Sequence, residues 1–588
     1  MISNYNRNKK YSVAEHFFVQ KSFELMFIKT IDSYRVRLNN PYTILKELVQ
    51  VLSDWEKKKI KNFETVKYVI KEANNLISQC SILKYNRVSK LYYIDLLKSA
   101  SEEKNLDLYY STKILVEENK GYLKNLFHSI QEEITRLNGI DKFELHELIH
   151  LNKLTGYLIS DLLSYGYSKG YVNQIFFTLF TKRSESTFID SFTICSALFG
   201  RPNESFRVIF KIKIPEDLKG KLSLNHLLIS KEEIDGIVVL NDECRSFIET
   251  KTNNFNNHIK IEVKAKDYFV AIKKAKSEIS QILDLVFLGF NHPGLRIYTQ
   301  VLVVGERNPE KAKANPIFYQ IDGSYKIGQD LYESFIEKLS RVSSNPKVAK
   351  DSNEKIKSGI RYLRLGSEAT EIEQKFINFW IGLEYIFSSY YSEQSTFNRI
   401  KQNLVTVHSL VYLKRNMKEF HEDLKRLKKL SSITGSGEDL IYLKKVESYN
   451  FIKSTYYESD PLLAFRAYEF KKDLFTNTDQ LKEILKRHQL NLEAHLSRAY
   501  RIRNEIIHDA AIRPNIESIT SNLKYYLTFI INEILEFFLN NPIDANFDNE
   551  LSIDDFFIVR QLEFNSMQKE GVSLERVFEI KNTVQNFA

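Results

Sequence analysis

Two short stretches of the chain hold residues whose types and spacing suit chemistry. The first is HELIH, His146 to His150. An H-E-x-x-H pattern on a helix presents two imidazoles to one zinc ion, with the intervening Glu147 placed to activate a water. Such a site needs a third protein ligand. The extended pattern would put Gly and His where Lys153 and Gly156 stand, and the following LNKLTGYLISDLLSYGYS offers only Asp161 as a carboxylate. The expectation is therefore an amphipathic helix bearing two surface histidines. A zinc peptidase using His146, Glu147 and His150 is the alternative.

The second stretch is LSRAYRIRNEIIHDA, Leu496 to Ala510. Arg498, Arg501, Arg503, Asn504 and His508 gather cationic and hydrogen-bonding groups on one helix, while Ile502, Ile506 and Ile507 supply an apolar side. A guanidinium stays charged and forks onto phosphate oxygens. An imidazole can move a proton near neutral pH. Asn504 can orient either the imidazole or a phosphate oxygen. At about 100° per residue, Arg501, Asn504 and His508 fall within a narrow arc, whereas Arg503 lies about 140° from His508. For Arg503 and His508 to act together, the helix distorts, the Arg503 side chain wraps round, or a second copy of the chain completes the site.

The rest of the sequence bounds what can position these residues. A chain of 588 residues exceeds what one hydrophobic core organises, so roughly two to four domains are expected. Apolar residues at 43% against 27% charged describe a folded protein rather than a disordered one. The 84 Lys and Arg against 75 Asp and Glu leave +9, which permits an anionic partner without requiring one. Cys80, Cys195 and Cys244 are far apart, so neither a disulfide framework nor a cysteine zinc site is encoded. The N-terminal MISNYNRNKKYSVAEHFF lacks the apolar core of a signal peptide, and no segment approaches the roughly 20 apolar residues of a membrane span. A reducing, cytoplasmic location with no membrane partner is the expectation.

Hydrophobic spacing predicts a mainly α, multidomain chain. Residues 1–195 read as an α-helical N-terminal domain, with Tyr42, Leu45, Leu48, Val49 and Leu52 at helical spacing. From Phe206 the period changes to two: Val208, Phe210, Ile212 and Ile214 alternate with Arg207, Lys211 and Lys213, and Ile259, Ile261 and Val263 alternate with lysines and Glu262. With further strands at GIVVL (236–240) and RIYTQVLVV (296–304), and a helix between the last two strands, residues 196–327 read as a small α+β domain. Its basic strand positions, Arg207, Lys211 and Lys213, are candidates for meeting an anionic partner. Helical spacing returns over 328–545, broken near TGSGED (434–439), and 546–588 read as a helical extension. No phosphate loop is encoded: the GSG at 435–437 lacks both a preceding strand and a following Lys-Ser/Thr.

The AYRIRNEIIHDA segment resembles the signature of the Apea-like branch of the HEPN superfamily: a tyrosine, then Arg-x-Arg-Asn, two apolar residues and His. FINFWIGLEYIF, 376–387, resembles the first core helix of that module, with Phe376, Trp380, Leu383 and Phe387 forming an apolar stripe that holds Glu384. A carboxylate in such a stripe is costly unless paired, which predicts a bond from Glu384 to an arginine of the 498–503 group. The resemblance covers about residues 355–545. A long insertion, about 431–480, separates the two helices, and Asp509-Ala510 follows the His where a small residue is the family's habit. The resemblance implies a C-terminal HEPN helical bundle and a metal-independent endoribonuclease without cofactor. Attack of the 2′-hydroxyl would leave 2′,3′-cyclic phosphate ends. It implies Arg503, His508 and Asn504 as catalytic residues, with Arg501, Arg498 and Glu384 in support. It further implies RNA as partner, a homodimer through this domain, and a toxin-like or antiviral-defence effector released by an activating ligand or phage component. Noncatalytic HEPN proteins that bind RNA or scaffold assemblies are the alternative the same resemblance allows.

Overall fold

The computed structural model describes residues 11–28, 39–183, 186–214, 228–230, 233–234, 242–249, 257–290, 296–309, 312–317, 321–323, 329–389, 393–433, 440–476, 478–509, 516–540 and 550–579. The protein is mainly α, with a five-stranded antiparallel sheet in its middle region. Helices α1 (Val13–Leu25), α2 (Pro41–Glu56), α3 (Phe63–Ser78), α4 (Lys90–Ser99), α5 (Leu106–Glu118), α6 (Tyr122–Asn138) and α7 (Leu148–Ser164) come first. The middle contains α8 (Lys169–Phe177), α9 (Phe188–Phe199), β1 (Glu204–Lys213), β2 (Leu228–Ile229), α10 (Asp242–Glu249), β3 (Asn257–Ala265), α11 (Tyr268–Phe290), β4 (Arg296–Gly305) and β5 (Lys313–Pro316). Then follow α12 (Gln329–Ser343), α13 (Lys350–Glu368), α14 (Ile372–Phe387), α15 (Thr396–Arg426), α16 (Val446–Thr455), α17 (Pro461–Phe475), α18 (Thr478–Asp509), α19 (Glu517–Asn540), α20 (Ile553–Glu570) and α21 (Leu574–Glu579). Among the described residues, no helix is long and apolar enough to cross a membrane.

Two compact units form. One combines 1–161 with 321–588, and the other is 162–320. The four consecutive stretches read from the sequence are thus regrouped, because helices from the two ends of the chain share one core. Phe17 of α1 meets Phe465 of α17 edge-on, with ring centroids 5.1 Å apart. Beside them the buried Glu24 carboxylate accepts from Arg466 Nη2 at 2.7 Å and from Lys21 Nζ at 2.5 Å. Burial opposes charge on Glu24, yet Arg466 and Lys21 outweigh it and hold its carboxyl down at about 2.

In the same unit, α13 and α14 pack against each other and against α19 at glycines. A Cβ on Gly366 would lie 2.5 Å from Phe379 Cε1, and one on Gly382 would lie 2.6 Å from Leu527 Cδ2. Only a bare backbone permits that approach. The apolar stripe expected on 376–387 is buried: Phe376, Trp380, Leu383 and Phe387 are fully covered. Helix α20 closes the bundle, stacking Phe557 on Phe387 with centroids 4.9 Å apart.

The second unit is built on a sheet of order β2-β3-β1-β4-β5, with every neighbouring pair antiparallel. Register pairs Val208 with Ile261 and Val303, so one face is continuously apolar and takes Ala271, Ile272, Ala275 and Ile279 of α11. The alternation read for β1 implied a solvated second face. That face is instead covered over part of its area, where Ile209, Leu302 and Val304 pack with Cys244, Phe247 and Ile248 of α10, while Glu262 and Lys264 of β3 stay exposed. Lys211 is only 2% exposed, its ammonium 4.8 Å above the Phe247 ring. Its long stem lies along apolar surface while the charge finds an aromatic face. Arg207 is exposed but lies 3.7 Å from Glu262. The GIVVL segment lies outside the described residues. The short β2 and β5 were not expected, since two and four residues are too few to establish an alternation.

One buried group makes stability depend on pH. Glu533 of α19 is 1% exposed and, among the described residues, neither carboxylate oxygen has a hydrogen-bond partner. Burial pushes its pKa up to about 7. Arg560 of α20, 3.7 Å away, opposes the shift, Glu536 and Glu563 reinforce it, and Lys338 opposes it more weakly. Lys414 of α15 also feels the Glu533 charge. The folded state holds this proton to higher pH than the unfolded chain, whose ordinary value is 4.5. Its contribution is therefore complete below that value, declines as pH rises to about 7, and is level beyond. Glu533→Gln is expected to remove this decline, so that thermal unfolding shows the variant gaining on the parent between about pH 5 and about pH 8. An unchanged difference across that range would exclude the assignment.

Candidate active site

Helix α18 is continuous from Thr478 to Asp509, so the distortion that would have turned Arg503 towards His508 does not occur. The two residues stay five positions apart, about 7.5 Å along the axis and on different faces. None of the hydrogen bonds of Arg503 or Asn504 goes to His508. The sequence motif is a set of residues that this helix distributes among separate environments.

Arg498 and Arg501 face the N-terminal helices. Arg498 Nε donates to Glu47 Oε1 at 2.8 Å, and its Nη2 donates to Glu47 Oε2 at 3.0 Å and to Glu72 Oε2 at 2.6 Å. Arg501 Nη2 donates to the same Glu47. Burial disfavours all these charges, but they satisfy one another: the arginines keep the Glu47 carboxyl well below the usual carboxylate range, and the two carboxylates hold Arg498 firmly protonated. Glu47, half-buried, lies on the arc of the buried Ile44 and Val51, and Glu72, half-buried, on that of the buried Val69 and Leu76. A carboxylate on an apolar arc signals a missing cation. That signal is in the sequence, but it does not say which cation.

Arg503 points the other way, towards α14. Its Nη2 is 3.7 Å from Glu384 Oε1, which completes the pairing expected from the sequence, and Glu384 accepts a shorter bond from Trp380 Nε1 at 2.7 Å. Arg503 Nη1 donates to Asn504 Oδ1 at 3.2 Å, and its Nε has no hydrogen-bond partner among the described residues. Its side chain is 24% exposed, twice the 12% of Arg501. Of the three arginines it is the most exposed, although Arg501 Nη1 likewise has no hydrogen-bond partner among the described residues. Tyr500 beside it stacks on Phe397 with centroids 4.1 Å apart and approaches Trp380 at 5.9 Å, an aromatic wall the motif alone did not reveal.

His508 is exposed in the last turn of α18, with no hydrogen bond or ion pair among the described residues. The other histidines of this helical unit's C-terminal half are committed. His408 bonds His488 at 2.9 Å and Tyr525 at 3.0 Å, His421 bonds Tyr442 at 3.0 Å, and His495 bonds Tyr526 at 3.0 Å. Burial lowers His488 and His495 to about 3 and His408 well below its ordinary value, so these three stay neutral and structural. Ile507, next to His508, and Tyr385, next to Glu384, are each 44% exposed.

The HELIH residues take a different arrangement from a zinc helix. His146 and Glu147 lie in a 3-10 turn, Leu145–Glu147, and α7 starts only at Leu148. Glu147 accepts from Arg136 at 2.8 Å and sits 3.2 Å from the His146 ring, so the carboxylate expected to activate water is ion-paired. Its pKa is lowered mainly by the Arg136 bond. Asp161 is buried and accepts from Asn40 at 3.1 Å. Among the described residues, no group of three or more His, Cys, Asp or Glu side chains is placed to hold a metal ion. Cys80, Cys195 and Cys244 are each buried, and none of them forms a disulfide among the described residues.

No family model, curated protein or solved structure matches the chain, so the site rests on its own geometry. That geometry separates the arginines by role. Arg501→Ala, which removes one of the two cations on the mostly buried Glu47 and leaves it to Arg498, is expected to cost about 2 kcal/mol in urea unfolding. Arg503→Ala, which loses only a partly exposed pair, is expected to cost less than about 1 kcal/mol. Equal losses would show that Arg503 is as structural as Arg501.

Proposed function

We propose that the chain is a metal-independent endoribonuclease of the HEPN type, with Arg503 and His508 as its reactive residues. The observation that carries this reading is the contrast along α18. Neighbouring arginines and histidines are bonded inside the bundle, while the Arg503 side chain is the most exposed of the three arginines and His508 stands exposed with no partner among the described residues. A phosphate drawn to Arg503 gains a charge-assisted forked contact, and the guanidinium is positioned to stabilise the extra negative charge on the phosphorane-like transition state. In the reaction, the 2′-hydroxyl oxygen forms a bond to phosphorus as its proton passes to an imidazole. The bond from phosphorus to the 5′-oxygen breaks, and that oxygen takes a proton. The products are a 2′,3′-cyclic phosphate and a 5′-hydroxyl. DNA, which lacks the nucleophile, is not a substrate.

One imidazole serves one of the two proton transfers, and Arg503 and His508 of one chain lie on different faces. A homodimer that brings two α18 helices together supplies both transfers and sets Arg503 of one copy beside His508 of the other. The exposed Ile507 and Tyr385 offer apolar surface for that contact. In this reading the activity is that of a defence or toxin-like effector, with the remaining helices and the α+β unit responding to an activating ligand. Asn504, bonded to Arg503, orients the guanidinium.

The test is incubation of the full chain with total cellular RNA in EDTA, followed by analysis of fragment ends. Cleavage that survives chelation, leaves cyclic phosphate ends and falls about 100-fold or more in both His508→Ala and Arg503→Ala is expected. Cleavage lost on chelation would refute the mechanism, and RNA binding without any cleavage would identify a noncatalytic RNA-binding or scaffold protein. Ile507→Asp is expected to convert a dimer to a monomer by light scattering, with cleavage lost and the unfolding midpoint unchanged.

A further inference from the structure

The α+β unit carries a second arrangement of chemical interest, away from the residues assigned above. Three tyrosine rings, Tyr165, Tyr167 and Tyr171, lie nearly parallel in a row. Their centroids are 6.3 Å and 6.0 Å apart, with interplanar angles of 20° and 8°. The turn between α7 and α8 makes this possible: Gly166 has φ +100°, which brings Tyr165 and Tyr167 into one stack. Tyr167 is buried and anchored by its hydroxyl on the Phe199 carbonyl at 3.1 Å, Tyr171 is half-buried, and Tyr165 is 42% exposed at the end of the row.

Cations border this stack. The Lys266 stem crosses Gly166, and its ammonium lies 4.1 Å from the Tyr165 centroid and 5.6 Å from that of Tyr167. That ammonium donates to the Arg201 carbonyl at 2.7 Å, which leaves it two further donors. Arg201 is exposed with no ion pair among the described residues, and the exposed Arg307 lies 3.8 Å from Glu204 while its Nη2 donates to the Pro202 carbonyl at 3.0 Å and the Asn203 carbonyl at 3.4 Å. The neighbouring carboxylate, Asp267, is buried and occupied by bonds from Ser168, Phe269 and Val270. Burial first, and then repulsion from Arg307, lower the Lys266 pKa, as expected where positive charge lacks a counter-charge.

We infer that this face, Tyr165, Tyr167 and Tyr171 with Arg201, Lys266 and Arg307, is a docking surface for single-stranded nucleic acid. An unpaired base stacks on the exposed Tyr165 ring, whose orientation is fixed by the rings behind it, and the adjoining phosphates meet Lys266 and Arg201. A duplex keeps its bases paired and offers no face to the stack. The surface has no contribution from Arg503 or His508, and the inference does not rest on the ribonuclease reading.

The test measures fluorescence anisotropy of a labelled oligouridylate of about 12 nucleotides, using the full chain with His508→Ala so that cleavage does not consume the probe. Tyr165→Ala is expected to weaken binding about 10-fold, while Tyr165→Phe, which keeps the ring, binds as the parent does. Arg201→Gln and Lys266→Gln are each expected to weaken binding and to flatten its dependence on salt by about one unit of log–log slope. The duplex of the same strand is expected to bind more weakly. Parental affinity in Tyr165→Ala, equal affinity for the duplex, or binding to phosphatidylserine vesicles but not to the oligonucleotide would each overturn the inference. All three readouts are independent of whether the unaltered chain cuts RNA.

Discussion

Glu47 accepts from Arg498 and Arg501 at once, while Glu72 also accepts from Arg498 Nη2, inside a helical unit assembled from the two ends of the chain. Buried charges of this kind are costly singly and tolerable together. Because the two arginines are three residues apart on α18, satisfying both from α2 and α3 fixes the rotation of that helix about its axis. The rotation in turn decides where Arg503, Asn504 and His508 point. With Arg498 and Arg501 turned to the N-terminal helices, Arg503 faces α14 and His508 faces solvent.

The same constraint divides identical residue types by role. Histidines on α15 and α18 are bonded inside the bundle and held neutral by burial, whereas His508 sits in the last exposed turn. Among the arginines, Arg498 and Arg501 share the Glu47 carboxylate and maintain the fold, and Arg503, 3.7 Å from its carboxylate, is the more exposed. The proposal of ribonuclease chemistry draws on that asymmetry rather than on the Arg-x4-His spacing, which any basic helix can present. Arg501, which shares an arc with His508 in the sequence, turns out to be tied to Glu47.

The α+β unit shows how an alternating pattern can mislead about exposure. Lys211 occupies a polar position in the alternation of β1, yet α10 covers that part of the face and the lysine stem is buried with its charge over Phe247. Sequence period reports which side chains share a face, and not whether a helix arriving from elsewhere will cover it. Arg201 and Lys266 of this unit lie just after a helix and at a strand end, outside the alternation that marks the strands.

Local pattern was enough to establish the mainly helical chain, the period-two strands β1, β3 and β4, the helix α11, and the aromatic stripe of α14, since each depends on side chains a few residues apart meeting one common surface. It was enough, too, to require that Glu384 find a cation, because the cost of an unpaired carboxylate in an apolar stripe does not depend on where the partner comes from. The identity of the partners belonged to the tertiary structure alone. Arg498 finds Glu47 across 451 residues of chain and Arg466 finds Glu24 across 442, separations at which no periodicity survives. Which arginine is tied to the N-terminal helices and which stays more exposed was therefore decided by packing between distant helices, and the helix that carries the motif could not reveal it.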